Sequence, residues 1–319
     1  MRATYMYGPF DVRVIDVPDP VIEHPADAVV RVARSCISDS DLHRYRSMAP
    51  TADGVSMGHE SVGTVEDIGA DVSTVRRGDL VIWNSGAVGG CQAEAVRVPQ
   101  ADATLVAAPI AEDSSLIPSL LTLSDIYRTG YHAAVTGGVG PDRTVTVIGD
   151  GAVGLLAVLS AKQRGAQRIV LMGQHKDRIA LGREFGATDV VVERGAEGIS
   201  AVRELTRGAG THVVIETSGL ISAYEQALCV VRTGGVISRV GVPQYENAPA
   251  GFTSLLGPNI TVTGGPAPVH AYFDTLLPDV LGGRVDPGKV FDCEIGLDSV
   301  PDGYQAMDAR QTLGILVRP

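Results

Sequence analysis

The run Gly149-Asp150-Gly151-Ala152-Val153-Gly154 carries the spacing G-x-G-x-x-G. Glycines so placed allow a tight turn and let the backbone approach a pyrophosphate, whose charge then meets the N-terminus of the next helix. The turn stands where that chemistry needs it, between an apolar run over 144–148 and a helix-forming stretch over 154–165. Gly149, Gly151, Ala152, Val153 and Gly154 are therefore expected to hold a dinucleotide. An NAD site ordinarily ends its second strand on Asp or Glu, about 20 residues further on, to hold the ribose 2′-hydroxyl. Here Met172 is followed by Gly173 and then by Gln174-His175-Lys176-Asp177-Arg178. With Gly173 in the acid's place no carboxylate is expected to repel a 2′-phosphate, and His175, Lys176 and Arg178 can bind one. NADP(H) is the expected cofactor, although the same run also suits the solvated start of a charged helix. A second group, Asp39-Ser40-Asp41-Leu42-His43 with Gly58-His59-Glu60, brings hydroxyls, carboxylates and imidazoles together. Such residue types do acid–base or metal chemistry. A Ser-Asp-Ser-Asp run alone is commonly a turn or a helix cap, and only the joint spacing raises it above that.

The elements that must position these residues fall into two textures. Up to about residue 110, short runs alternate on a two-residue period and close on Pro, Gly or Asp: 11–17, 28–33, 61–69, 79–83 and 93–99. That pattern predicts a β-rich, barrel-like domain. From about residue 116, apolar runs over 144–148, 168–172, 189–192, 212–216 and 235–240 alternate with helix-like stretches over 154–165, 177–185, 199–206 and 223–232. Strands buried on both faces and spaced by helices predict a doubly wound parallel sheet. A further run over 260–263, a helix near 272–281 and a strand over 313–317 close the chain.

The 319 residues suggest two domains at about 100–200 residues each. Apolar residues at 45%, charged residues at 20%, 38 Gly and 18 Pro are ordinary globular usage, which sets disorder and coiled coil aside. A net charge of −11 with scattered bases disfavours a nucleic-acid partner. No apolar run reaches the length of about 18 residues that a spanning helix needs, so no membrane association is expected. The opening Met1-Arg2-Ala3-Thr4-Tyr5-Met6 is strand-like and shows no charged-then-apolar leader. Cys36, Cys91, Cys229 and Cys293 are far apart and form no C-x-x-C, as suits thiols in the cytoplasm.

With these elements in place, the chain resembles the medium-chain dehydrogenases/reductases of the zinc alcohol dehydrogenase type over nearly its whole length. The resemblance rests on the 39–43 run, Gly58-His59-Glu60-Ser61-Val62-Gly63 and the glycine turn. It also rests on Leu123-Ser124-Asp125-Ile126-Tyr127-Arg128-Thr129-Gly130-Tyr131-His132-Ala133 and on Tyr304-Gln305-Ala306-Met307-Asp308. It implies an α/β architecture: a GroES-like β-barrel catalytic domain over 1–115, completed by 264–319, and a Rossmann NADP(H)-binding domain over 116–263. It also implies an active site where the carboxyl ends of the Rossmann strands face the first domain, and a homodimer or homotetramer joined through edge strands such as 260–263.

Members of that family hold a catalytic zinc on Cys, His and a carboxylate or second Cys, with the Glu after the His exchangeable; the metal polarises a substrate oxygen. The resemblance carries these roles to His59, Glu60 and Asp125. It gives Ser40 the hydroxyl-relay position and Asp41 that of the carboxylate orienting the ligating imidazole. The family's Cys-x-Ser/Thr-Asp-x-His pattern fits in two registers. Cys36-Ile37-Ser38-Asp39 matches its first four positions but leaves His43 two residues late. Ser38-Asp39-Ser40-Asp41-Leu42-His43 matches throughout, with Ser38 in place of Cys. The second register is favoured, and a neutral hydroxyl is a far poorer zinc ligand than a thiolate. The expected catalytic group is then Ser38, Ser40, Asp41, His59, Glu60 and Asp125 without a firmly bound zinc; any metal would rest on His59, Glu60 and Asp125, with Cys36 if it reaches in. The family's four-cysteine structural zinc lobe would follow the 80–83 strand, where this chain has only Cys91, read as a small buried residue. His24, His132, His212, His270, Tyr127 and Trp83 read as structural.

The expected function is hydride transfer between NADP(H) and a small organic substrate bearing C=O, C=N or activated C=C. One alternative is a conventional zinc secondary alcohol dehydrogenase using Cys36; another is a catalytically silent NADPH-binding protein.

Overall fold

A computed structural model of the chain describes residues 1–84, 90–268 and 270–319. The chain divides into two compact units, Met1–Asp125 with Val269–Pro319, and Ile126–Pro268. The first is β-rich. Strand Ala28–Ile37 pairs with Glu60–Ile68, Ala95–Val98 and Ile315–Arg318, all antiparallel, and Glu60–Ile68 continues the sheet through Leu80–Asn84 to Val106–Ala108. The two-residue alternation of the sequence is visible in the result: Val30 and Val32 are buried with Arg31 exposed between them. They pack with Val65, Val81, Trp83, Val96 and Val98 into one core. A second core of Met6, Ile37, Leu42, Tyr45, Met57, Tyr304, Ile315 and Val317 seats helix Asp39–Ser47 on the C-terminal segment. Burying each such aliphatic side chain stabilises the unit by about 1.5–3 kcal/mol. These contacts hold still the helix that carries Ser40 and Asp41.

The unit boundary falls at 125/126, not at 115/116 as the composition shift suggested, and at 268/269 in place of 263/264. Helix Ile117–Thr122 is the reason. It packs on the short turn Pro287–Val290 of the C-terminal segment, where the Ser119 hydroxyl donates to Asp286 Oδ1 at 2.8 Å and accepts from the Gly288 N–H at 3.0 Å. Asp125 thereby belongs to the unit of His59. The loop over 85–89, where the family's structural zinc lobe was expected to be missing, lies outside the described residues; Cys91 beyond it is fully buried.

In the second unit six strands form one all-parallel sheet, ordered Asp189–Val191, Arg168–Met172, Thr144–Ile148, Thr211–Glu216, Val231–Arg239, Thr261–Gly264. Numbered along the chain that order is 3-2-1-4-5-6, and it reverses beside Thr144–Ile148, the place where open α/β sheets take their ligands. Helix Ala152–Gln163 is buried almost all round, through Leu155, Leu156, Ala157, Val158 and Ala161. The expected strands recur within a few residues, with Val231–Arg239 the furthest displaced. Strand Thr261–Gly264 lies at the sheet's edge with Val262 exposed. No helix among the described residues is long and apolar enough to cross a membrane.

Candidate functional site

The glycine turn follows strand Thr144–Ile148 directly, and helix Ala152–Gln163 opens inside the motif, two residues earlier than its composition suggested. Gly151 caps the helix in an extended conformation, and its carbonyl accepts the first helical bond from the Leu155 N–H at 3.0 Å. Gly154 therefore sits in the first turn, where a Cβ would stand 2.1 Å from the Gly149 carbonyl oxygen. Gly149 itself has φ +118°, a conformation that other side chains resist. The backbone thus forms a bare cradle at a helix N-terminus, the geometry that accepts a pyrophosphate.

At the end of strand Arg168–Met172 one expectation is corrected. Gly173 does leave the acid's usual position without a side chain, but a carboxylate stands there all the same. Asp150, from the middle of the glycine turn, reaches across; its Oδ2 accepts from the Gln174 N–H at 2.8 Å, the His175 N–H at 2.9 Å and His175 Nδ1 at 3.0 Å. A sequence scan along one strand cannot see a carboxylate delivered from the neighbouring turn. Burial pushes the Asp150 carboxyl up, but the hydrogen bonds and charge of His175 and the Gln174 N–H outweigh it and hold it below its ordinary value. Lys176 is exposed, His175 and Arg178 are half-buried, and all three stand at the start of helix Lys176–Phe185. Arg194, which carried no signal in the sequence, joins them: its guanidinium donates to the Met172 carbonyl at 3.4 Å.

In the first unit the strand–helix junction after Ile37 delivers Ser38, Ser40 and Asp41, while the start of strand Glu60–Ile68 delivers His59 and Glu60. His59 is the hub. Its Nδ1 lies 3.5 Å from Asp41 Oδ1, and its Nε2 lies 3.4 Å from Asp125 Oδ2, 3.7 Å from Glu60 Oε1 and 3.5 Å from the Ser40 hydroxyl. Ser40 Oγ in turn donates to Ser38 Oγ at 3.3 Å. Asp41 is itself held, its Oδ2 accepting from the Ser38 N–H at 3.0 Å. All six residues of the expected catalytic group are thus within one constellation.

The charges around it are concentrated. Burial alone would lower the His59 pKa, but the carboxylates of Asp125 and Asp41 push it up to about 12. Burial and the neighbouring Asp125 charge raise Glu60 to about 7, against the pull of His59 and Ser38. Glu60 Oε1 is buried without a hydrogen-bond partner among the described residues, while Oε2 accepts from Ser124 at 3.3 Å. One nitrogen and two carboxylate oxygens, from His59, Glu60 and Asp125, come within 4.8 Å of one another. This donor set fits a divalent cation with an open position, and the orphaned oxygen is the kind of atom such an ion satisfies. Cys36 is not in the set. It lies buried in strand Ala28–Ile37, and burial, then the charges of Glu60 and Asp41, push its thiol well up.

Two residues in the outer part of this network escaped the sequence reading. The Gln92 side-chain amide donates to the Cys36 carbonyl at 2.9 Å and to Asp41 Oδ2 at 3.5 Å, and accepts from the Tyr304 hydroxyl at 3.2 Å. Their separations of 51 and 212 residues from their partners leave no local pattern to find. Trp83 and Tyr127 are buried, in keeping with the structural roles read for them, and the Tyr127 hydroxyl donates to Gln163 Oε1 at 2.6 Å.

Comparison with known proteins agrees with this geometry. Residues 152–279 match the family described as zinc-binding dehydrogenase, and residues 24–109 match the alcohol dehydrogenase GroES-like domain. A "probable zinc-binding alcohol dehydrogenase" of Mycobacterium tuberculosis is 33% identical over all of this chain and 89% of its own length. An alcohol dehydrogenase of Cupriavidus necator is 28% identical, covering 99% of this chain and 97% of the other. Among solved structures, alcohol dehydrogenase TADH from Thermus sp. ATN1 superposes with a TM-score of 0.92 at 30% identity, with both chains covered completely.

Proposed function

The chain belongs to the zinc-type alcohol dehydrogenase family of medium-chain dehydrogenases/reductases, and from that premise we propose that it is an NADP(H)-dependent oxidoreductase without a firmly bound catalytic zinc. Its substrate is a small organic molecule reduced at C=O, C=N or activated C=C, or oxidised in the reverse direction. The observation that carries the reading is the convergence of His59, Glu60 and Asp125 as a group that does not include Cys36, with the hydroxyls of Ser38 and Ser40 beside it. Oxygen donors with a single imidazole hold zinc more loosely than the thiolate-bearing sets of the family.

A zinc ion resting on His59, Glu60 and Asp125 would polarise a substrate oxygen as a Lewis acid. The chain's own residues do the rest. Asp41 accepts from His59 Nδ1 and so turns Nε2 toward Asp125, Glu60 and Ser40. The Ser40 hydroxyl, between Ser38 and His59, can give a proton to a substrate oxygen or nitrogen, and His59 can resupply it; a bound nicotinamide would supply the hydride. Gly149, Gly151, Ala152, Val153 and Gly154 would hold the nucleotide's pyrophosphate. His175, Lys176, Arg178 and Arg194 would hold its 2′-phosphate, with Asp150 Oδ2 turned onto three donors.

Zinc content by elemental analysis of desalted protein, alongside NADPH oxidation over ketones, imines and enones, tests the reading. We expect well under one zinc per chain and turnover that survives chelator. One zinc per chain with activity lost on chelation would make the protein a conventional zinc secondary alcohol dehydrogenase. NADPH binding without turnover on any of the panel would make it a catalytically silent nucleotide-binding protein. We further propose a homodimer or homotetramer joined at the edge of Thr261–Gly264, free among the described residues, where Val262 and Phe252 and Leu256 of the short helical turn Phe252–Leu256 are exposed. The four cysteines are unpaired thiols, in keeping with a cytoplasmic protein.

A further inference from the structure

We propose that Asp150 is a positioning residue for nucleotide selection, acting through His175; this rests on the NADP(H) reading above. The middle residue of the glycine turn has no prescribed part in nucleotide choice, yet here its carboxylate ties the turn to the start of the next helix. Its side chain is 7% exposed, and Oδ2 alone takes three donors within 3.0 Å. Because the carboxyl is held ionised it can only accept, so the proton between the two side chains sits on His175 Nδ1. His175 Nε2 then remains as the ring's second polar atom, without a partner among the described residues, on a side chain 30% exposed. The imidazole is fixed in orientation, with Nδ1 donating inward to Asp150 and Nε2 directed away from it, where it donates only in the doubly protonated ring.

The arrangement also accounts for Gly173. A Cβ at that position would stand 2.7 Å from Asp150 Cβ and 2.8 Å from Asp150 Oδ2. The absence of an acid at the strand end and the presence of Asp150 in the turn are thus one feature: a side chain at 173 would expel the carboxylate that organises the turn. Asp150 does two things for a 2′-phosphate. Its Oδ2 is turned onto Gln174 and His175, and it holds the ring so that Nε2, when it too carries a proton, can donate to the phosphate. A 2′-hydroxyl, which lacks the charge, draws much less from either.

The test is the dissociation constants of NADPH and NADH, read by nucleotide fluorescence, for the full-length protein and for D150N, H175A and the D150N/H175A double variant. The carboxamide introduced by D150N keeps one acceptor for the backbone donors, so the turn stays folded, and far-UV circular dichroism checks that it does. We expect each single variant to weaken NADPH roughly tenfold while NADH stays within about twofold, with the double variant no worse than either single. Gly173→Ala, which displaces Asp150 sterically, should reproduce the shift. Three results overturn the proposal: D150N tightening NADPH, which would make Asp150 the repelling acid itself; equal weakening of both nucleotides; or additive effects in the double variant. The NADP(H) reading is scored separately, by which nucleotide the unaltered protein prefers. Should it prefer NADH, the cycle still reports whether positions 150 and 175 move the NADPH-to-NADH ratio as one unit.

Discussion

At the scale of single residues, the proposed chemistry turns on Ser38, read as a hydroxyl standing where the family places a cysteine. Ser38 accepts from Ser40, which lies 3.5 Å from His59 of the group His59, Glu60 and Asp125. Ser38→Cys should therefore convert a weak site into a firm one. We expect zinc retained after dialysis to rise to about one per chain, by elemental analysis; no gain would show that another residue limits metal affinity. Ser40→Ala removes the proposed proton path and leaves the charge cluster in place. It should lower kcat roughly 100-fold or more with KM changed less than threefold, in steady-state kinetics on the best substrate. Gln92→Leu acts one step further out, since Asp41 loses a neighbour but keeps the Ser38 N–H. A loss of about tenfold in metal affinity, measured against a competing chelator, is expected.

At the scale of elements, function depends on junctions. Strand Ala28–Ile37 runs directly into helix Asp39–Ser47, and the buried Leu42 and Tyr45 lock that helix against Tyr304 and Ile315. In the second unit the turn between strand Thr144–Ile148 and helix Ala152–Gln163 is tied by Asp150 to the start of helix Lys176–Phe185. That tie has a pH signature with a definite sign. The folded pKa of Asp150 lies below its ordinary value of 3.8, so its stabilisation is fully present above that value and is lost as pH falls through the folded pKa. Asp150→Asn should be less stable than the unaltered protein at neutral pH, and the gap should close as pH drops below about 4. Urea unfolding at a series of pH values measures it; a gap independent of pH would mean the carboxylate's charge contributes nothing.

At the scale of the whole molecule, the two units are unequal in what they expose. Among the described residues the parallel sheet leaves Thr261–Gly264 unpaired on its outer side, and Phe252 and Leu256 are 71% and 73% exposed. A free strand edge beside apolar side chains is a surface that a second copy of the chain would cover through an isologous contact. Light scattering should report two or four times the 33.3 kDa chain mass, and Val262→Asp should shift the population toward monomer. A monomer for the unaltered protein would remove the oligomer proposal and leave the assignment of the catalytic group untouched.

The sequence by itself determined the architecture and the location of the cofactor turn, because both depend on local rules. Alternation at period two marks a half-buried strand, apolar runs spaced by helices mark a parallel sheet, and G-x-G-x-x-G is legible within six residues. Spacing and family likeness also marked out the residues of the expected catalytic group, with two registers left open around Cys36 and Ser38, and the fold brings those residues together. Tertiary structure adds that Cys36 is buried in strand Ala28–Ile37 while His59, Glu60 and Asp125 converge as a group that does not include it, a relation that no local pattern carries. It also decided what stands at Gly173: Asp150, 23 residues earlier in the chain, fills the space that a one-strand reading leaves empty. Gln92, Ser124, Tyr304 and Arg194 entered the two sites in the same way. A hydrogen bond needs only two groups within about 3 Å, and folding brings them there from any distance along the chain.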